Sequence, residues 1–231
     1  ASGVARNHFN LQSGAAGDKK NIDQKFFMSQ TRVRIDADLT DNVQATVRLI
    51  NERVWNGQND TAASGNSKID LDLAYVTLKE FLYSPLTLTI GRQEIRFGNG
   101  LIIGNPKVAD GVVNIPTDLT ERKAFDAIRA TLDYDPLVVD LIYAKVNEQD
   151  TTRNNDTNLY GVNATYTLNK KINVSGYYFL KSDNNSSATN SLGKADKVNT
   201  IGMLISSTPI EDLILSLEGA YQFGKADGAV S

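Results

Sequence analysis

Residues 27–39 read Phe-Met-Ser-Gln-Thr-Arg-Val-Arg-Ile-Asp-Ala-Asp-Leu. In an extended chain, Phe27, Thr31, Val33, Ile35, Ala37 and Leu39 share one face, and Gln30, Arg32, Arg34, Asp36 and Asp38 share the other. Successive side chains of a strand point to opposite faces, whereas a helix would scatter both sets around its circumference. The same period of two returns at 69–77, where Ile69, Leu71, Leu73 and Tyr75 oppose Asp70 and Asp72. It returns again at 213–223, where Leu213, Leu215, Leu217, Tyr221 and Phe223 oppose Ser216, Glu218 and Gln222.

Applied along the chain, the rule predicts about eleven strands. They span 3–10, 26–40, 43–56, 69–82, 86–97, 125–134, 137–148, 159–169, 171–183, 197–208 and 212–224. Most are longer than the ~5–6 residues usual in globular sheets, and they match the ~9–11 needed to cross a bilayer at a tilt. Short turns at Asp41-Asn42, Tyr83-Ser84-Pro85, Asp135-Pro136, Asn169-Lys170 and Pro209–Asp212 alternate with longer polar loops at 11–25, 57–68, 98–124, 149–158 and 184–196. That alternation fits an up-and-down antiparallel meander better than a Greek-key sandwich. Aromatic residues near strand ends, among them Phe26, Trp55, Phe81, Tyr83, Tyr134 and Phe223, fit the girdles of a membrane interface. The expected fold is therefore all-β: an up-and-down antiparallel transmembrane β-barrel over 1–231, with apolar faces toward lipid and charged faces toward a lumen. The segment 98–124 is the main break. It combines Gly98, Gly100, Gly104, Pro106, Gly111 and Pro116 with an apolar content that should pack in the barrel mouth or on a partner.

Composition narrows the function. With 24 Lys+Arg against 27 Asp+Glu the net charge is −3, so a nucleic acid is not the expected partner. The absence of cysteine removes disulfides, thiolate metal sites and cysteine nucleophiles, and a single histidine, His8, removes a multi-histidine metal site. No Gly-X-Ser-X-Gly, phosphate-binding or dinucleotide signature occurs, and His8 has no neighbouring acid or hydroxyl partner, so no enzyme and no cofactor are expected.

The stretch FFMSQTRVRIDADLTDNVQATVRLINERVW at 26–55 resembles an early hairpin of the alginate-export family of outer-membrane barrels. So does LTLTIGRQEIRFGNGLIIGNP at 86–106, where a strand ending in Gly-Arg-Gln-Glu runs into a glycine-rich loop. Phe125-Asp126-Ala127-Ile128-Arg129 is similar to the family's Phe-Asp-Gly-hydrophobic-Arg strand opening, with Ala127 at the usual glycine. The resemblance implies a single-chain barrel of about eighteen strands in a Gram-negative outer membrane, where even strand numbers are the rule. It also implies, in its best-known members, an arginine-lined channel for an anionic polysaccharide. About eleven strands, an odd number, and an end reading GKADGAVS without a terminal aromatic depart from that pattern, so this chain is expected to be a piece of a larger barrel or to be completed by a partner.

By parity, the pore-lining charge is Arg32, Arg34, Asp36, Asp38, Arg48, Glu52, Asp70, Asp72, Arg129, Asp133, Asp140, Lys181 and Glu218. Rings of charge in a wet pore set ion preference, and the same residues can equally pair across strands and stiffen the wall. Mixed signs argue against strong anion selectivity, although Arg32, Arg34, Arg48 and Arg129 would suit a polyanion track. Arg92 follows Leu86, Leu88 and Ile90 outward unless a bulge near Gly91 turns it inward, and the inward position is the expectation. Asp/Asn-rich loops at 56–60, 150–158 and 183–185 offer oxygen ligands for Ca²⁺ without EF-hand spacing, and solvated loops are the simpler reading. The expected function is a porin-like outer-membrane channel for hydrophilic, including anionic, solutes, with outer-membrane lipid around it. The alternatives are a plugged barrel whose surface loops bind a partner protein, and a soluble all-β binding protein. Burial of Leu71, Leu73, Leu215 and Leu217 against a second sheet would decide for the last.

Overall fold

A computed structural model of the chain describes residues 2–8, 22–54, 69–104, 124–147, 156–169, 171–184 and 196–225. The expectations placed on Trp55, on 105–123, on most of the Asp/Asn-rich loops and on the last residues lie outside them. So do those on the side chains of His8 and Phe26.

The described residues form β1 (Ser2–His8), β2 (Ile22–Thr40), β3 (Val43–Val54), β4 (Asp70–Leu78), β5 (Leu86–Gln93), β6 (Phe125–Asp133), β7 (Leu137–Asn147), β8 (Thr157–Asn169), β9 (Ile172–Asp183), β10 (Asp196–Ile210) and β11 (Leu213–Lys225). All eleven belong to one sheet in chain order, β1 to β11, with no crossover. Strands that follow one another in sequence are neighbours in the sheet, so the short-range pattern is enough to specify the topology.

Contacts group the chain into two interleaved units. The first is 1–34, 48–72 and 107–122; the second is 35–47, 73–106 and 123–231. In the first, β1 pairs antiparallel with the start of β2, from Ser2 opposite Met28 to His8 opposite Ile22. That pairing draws β2 out to Ile22, four residues earlier than the alternation predicts. In the second unit the ladder from β5 to β11 lines residues up in rows. One row runs Leu88, Ala130, Leu141, Val162, Tyr178, Ile201, Tyr221. Two residues toward the long connections, the next row is Ile90, Ile128, Tyr143, Tyr160, Leu180, Asn199, Phe223. The following row is polar: Arg92, Asp126, Lys145, Asn158, Ser182, Lys197, Lys225. An apolar band thus ends abruptly at a charged margin.

This band is exposed. Leu215 and Leu217 are 55% and 76% exposed and Leu71 is 50% exposed, with no second sheet over them among the described residues. The burial that would have marked a soluble sandwich is absent at these three positions. Leu73 differs: it is 2% exposed, next to the equally buried Asp72. The alternation of β4 therefore slips by one residue after Leu71, and Ala74, Val76 and Leu78 stand opposite Arg92, Ile90 and Leu88. The ladder is tight here. Gly91, at φ +122°, leaves no space for a Cβ, which would come 2.3 Å from the Ala74 carbonyl oxygen.

The turn end is stitched by backbone bonds from one hairpin to the next. Lys79 N–H donates to Asn42 O, Thr167 N–H to Pro136 O and Thr208 N–H to Lys171 O, each at 2.8–2.9 Å. The last hairpin turns at Glu211–Asp212 with Asp212 at φ +66°. Pro209, read from sequence as part of this turn, lies within β10 at the ladder irregularity between Ser207 and Ile210. A proline has no N–H for the ladder, so a bulge is where a strand tolerates one.

Candidate functional site

The face opposite the apolar band carries the polar chemistry. On β3, Thr46, Arg48, Ile50 and Glu52 are buried in alternation with exposed Val47 and Leu49. In the first unit, Arg48 Nε donates to Asp72 Oδ2 at 2.7 Å, and Arg32 Nε stands 4.0 Å from the same oxygen. Asp72 is 1% exposed, and its other oxygen has no hydrogen-bond partner among the described residues. Gln30 Nε2 donates to the buried Glu52 at 2.9 Å. Arg34 is exposed on β2, and Asp70 is half-buried at the start of β4. In the second unit Asp36 accepts from Thr46 Oγ1 at 2.7 Å and Asp38 from Gln44 Nε2 at 3.0 Å. The pairs 30/52, 36/46 and 38/44 advance in opposite directions, as antiparallel neighbours must.

Further along the second unit, Asp140 on β7 accepts Arg129 Nε at 2.8 Å and Thr131 Oγ1 at 2.7 Å on one carboxylate oxygen, and Arg129 Nη2 stands 2.7 Å from the same oxygen. Thr131 lies directly across the ladder from Asp140, and Arg129 reaches it diagonally. Lys181 lies 3.8 Å from Asp183 on its own strand, and Asp133 is exposed, accepting the Asp135 N–H of the turn. Neither joins the Arg129–Asp140 cluster.

Arg92 is a correction. It stays on the face of Ile90 and Ile128, where its Nη1 lies 3.3 Å from Asp126 Oδ2 on the next strand. No turn brings it to the opposite face, because β5 keeps its parity through Gly91. The side chain that does point across is Gln93, buried, with Nε2 donating to the carbonyls of Thr89, Gly91 and Ala127.

Beyond Gln93 the strand predicted to continue to residue 97 has no ladder partner among the described residues. The alternation nevertheless persists: Ile95 and Phe97 are buried, and Glu94 and Arg96 exposed. Segment 94–104 crosses the polar face as a short loop, held by Phe97 N–H to Ile103 O at 3.0 Å and Gly100 N–H to Phe97 O at 3.0 Å. Its Ile95, Phe97 and Ile103 pack with Ala127, Ile142, Ala144, Leu159, Tyr177 and Phe179. Phe97 stacks on Phe179 at 5.6 Å, and the Arg129 guanidinium lies 5.6 Å from the Phe97 ring centroid as a cation–π contact. Two strand glycines make room for this cluster: a Cβ on Gly161 would come 2.4 Å from Phe179, and one on Gly202 2.4 Å from the Tyr177 ring.

The loop is fastened at its far side to β11. Glu218 accepts the Asn99 N–H at 2.8 Å and the Tyr177 hydroxyl at 2.9 Å, and Asn99 Nδ2 approaches Ser216 Oγ at 3.3 Å. Alternation places Glu218 on this face, but it does not bring Asn99, Phe97 and Tyr177 together with it. The signal for them was the run Leu137-Val138-Val139 and Leu141-Ile142-Tyr143-Ala144 on β7, apolar at both parities, which marks a strand covered on both faces.

The polar face can therefore present charge, hydrogen-bonding groups and a fastened loop, and among the described residues no three acidic or imidazole groups converge on a metal site. A family model described as alginate export matches residues 5–231. No curated protein matches the chain at a significant level.

Proposed function

The chain belongs to the alginate-export family, and on that premise we propose that it forms part of the wall of an outer-membrane channel for hydrophilic solutes, anionic ones included. The observation that carries this reading is the inversion of its two faces. Leucines and isoleucines stand exposed, while Arg48, Asp72, Asp140 and Glu52 are buried on the other side. Water would penalise the first face, and hydrocarbon suits it; the second face suits a wet lumen. The dimensions agree. Leu213, Leu215, Leu217, Tyr221 and Phe223 mark one face of β11 over a run of ten residue steps. At ~3.3 Å per residue that is ~33 Å, and a tilt of ~40° reduces it to ~25 Å, the height of the apolar band of such barrels.

Transport is passive in this reading: solutes move down their gradient, filtered by the width left beside loop 94–104 and by wall charge. Arg48 and Arg129 each carry a carboxylate partner, so their field is largely cancelled locally. The filter is therefore one of width first and charge second. No catalytic step or cofactor is part of it.

Planar-bilayer recording of the full-length protein tests the reading. Stepwise conductance supports it. A heat-modifiable, membrane-inserted protein without conductance steps overturns it in favour of a plugged scaffold that binds a partner through its loops. Replacing Arg32, Arg34 and Arg48 with alanine should shift the preference between anions and cations; an unchanged preference removes charge from the filter.

A further inference from the structure

The apolar band is not smooth. On the row Ala164, Gly176, Met203, Gly219, the ladder places two glycines and an alanine where its neighbours carry large side chains. A Cβ built on Gly176 or Gly219 meets nothing within 4 Å. The result is a groove of about 660 Å³ on the exposed face of β8 to β11, floored by these small residues and walled by Tyr178, Tyr221 and Met203. Glycine inside a strand weakens the strand and commonly marks a place where another molecule comes close.

The groove has a direction. The Tyr178 hydroxyl donates to Asn199 Oδ1 at 2.6 Å, toward the long connections. Two residues beyond Asn199 lies Lys197, exposed and without an ion pair among the described residues. An exposed cation at the rim of an apolar groove suits the anionic head of a membrane amphiphile. From Lys197 to Met203 is six residues, or ~20 Å of strand, a span that suits a headgroup at one end and an acyl chain along the rest.

We propose that this groove binds a phosphate-bearing lipid of the surrounding bilayer. One acyl chain lies over Gly176 and Gly219, and the phosphate sits at Lys197. The site faces hydrocarbon, so it rests on the membrane-channel reading above, but it is a separate claim: it needs the gap over Gly176 and Gly219 and the charge of Lys197, not the band alone.

The test is native mass spectrometry of the full-length protein released from bilayers of equal phosphatidylglycerol and phosphatidylcholine. The wild-type protein should retain phosphatidylglycerol in preference. Lys197→Gln should lower that preference about fivefold, the factor expected for one lysine at a lipid surface. Gly176→Phe and Gly219→Phe fill open space, should leave heat-modifiability and conductance intact, and should abolish retention. Equal retention of the two lipids, or retention that survives both phenylalanine variants, overturns the proposal. A dimer that Gly176→Phe dissociates, with no lipid lost, assigns the groove to a second copy instead. Protein that inserts and conducts but retains no lipid refutes this site alone; protein that does not insert refutes the channel as well.

Discussion

Tyr177 and Tyr178 are adjacent in sequence and face different surroundings. Tyr177 is 4% exposed; its ring lies over Gly202, its hydroxyl donates to Glu218, and it packs beneath the loop that carries Phe97. Tyr178 is 39% exposed on the apolar band, with its hydroxyl on Asn199. One tyrosine belongs to a small folded core, the other to a surface made for hydrocarbon. The same amino acid is selected on both faces for different reasons. On one it brings a ring large enough to cover a strand glycine, and on the other an apolar body with a polar tip near the charged margin.

The sharpest way to break this contrast is to put a charge on each face. Arginine at Leu217, exposed within the band, should destabilise the full-length protein in lipid vesicles by about 2–4 kcal/mol if it sits near the bilayer midplane. Arginine at Ser206 on the opposite parity should change stability by only about 0.5 kcal/mol, as a solvated position does. Urea unfolding in vesicles measures both. Equal costs would mean that the two faces see the same solvent, and the inversion would then have no functional meaning.

Glycines sharpen the comparison next. Gly202→Val drives a side chain into the Tyr177 ring, where a Cβ already stands 2.4 Å away. Overpacking of this kind costs about 1–3 kcal/mol. Gly176→Val, on the other face, enters open space and should be neutral or stabilising by a few tenths of a kcal/mol, because valine suits a strand better than glycine. The same denaturation series reads the difference.

The sequence exposes the repeating part of this architecture and hides the part that interrupts it. The strands, their order and the parity of Arg48, Asp72, Asp140 and Glu218 follow from period-two alternation, which depends only on neighbours in the chain. The same alternation places Arg92 outward with Ile90; only the expected bulge at Gly91 would have turned it inward, and the unbroken pairing of β5 with β6 excludes that bulge. Segment 94–97 alternates as a strand does but leaves the ladder, and only the lack of a partner among the described residues reveals it as a loop. The slip at Asp72 and Leu73 is invisible for the same reason: one extra buried residue changes parity without changing composition. Long-range pairing, not local preference, settles each of these positions.

The loop fastening gives a smaller effect than the face reversals, because it is local. Glu218→Ala removes the acceptor of both the Asn99 N–H and the Tyr177 hydroxyl. Hydrogen bonds to a charged group contribute about 1.5–3 kcal/mol when buried, and the partial exposure of Glu218 brings the expected loss to about 1 kcal/mol. The more telling readout is conductance, which should rise as the loop loosens, together with faster proteolysis near Asn99. Unchanged conductance would show that the loop does not narrow the path.

The least perturbing change is Tyr178→Phe. It deletes one hydroxyl and its 2.6 Å bond to Asn199 while keeping the ring on the apolar band. A net loss of about 0.5–1 kcal/mol is expected, near the ordinary value for one hydrogen bond. Tyr177→Phe removes a hydroxyl of equal size from the other face, yet it should also free Glu218 from one of its two donors and loosen the loop. If the channel is bounded as proposed, Tyr177→Phe alters conductance and Tyr178→Phe does not, although the two changes are the same chemistry one residue apart.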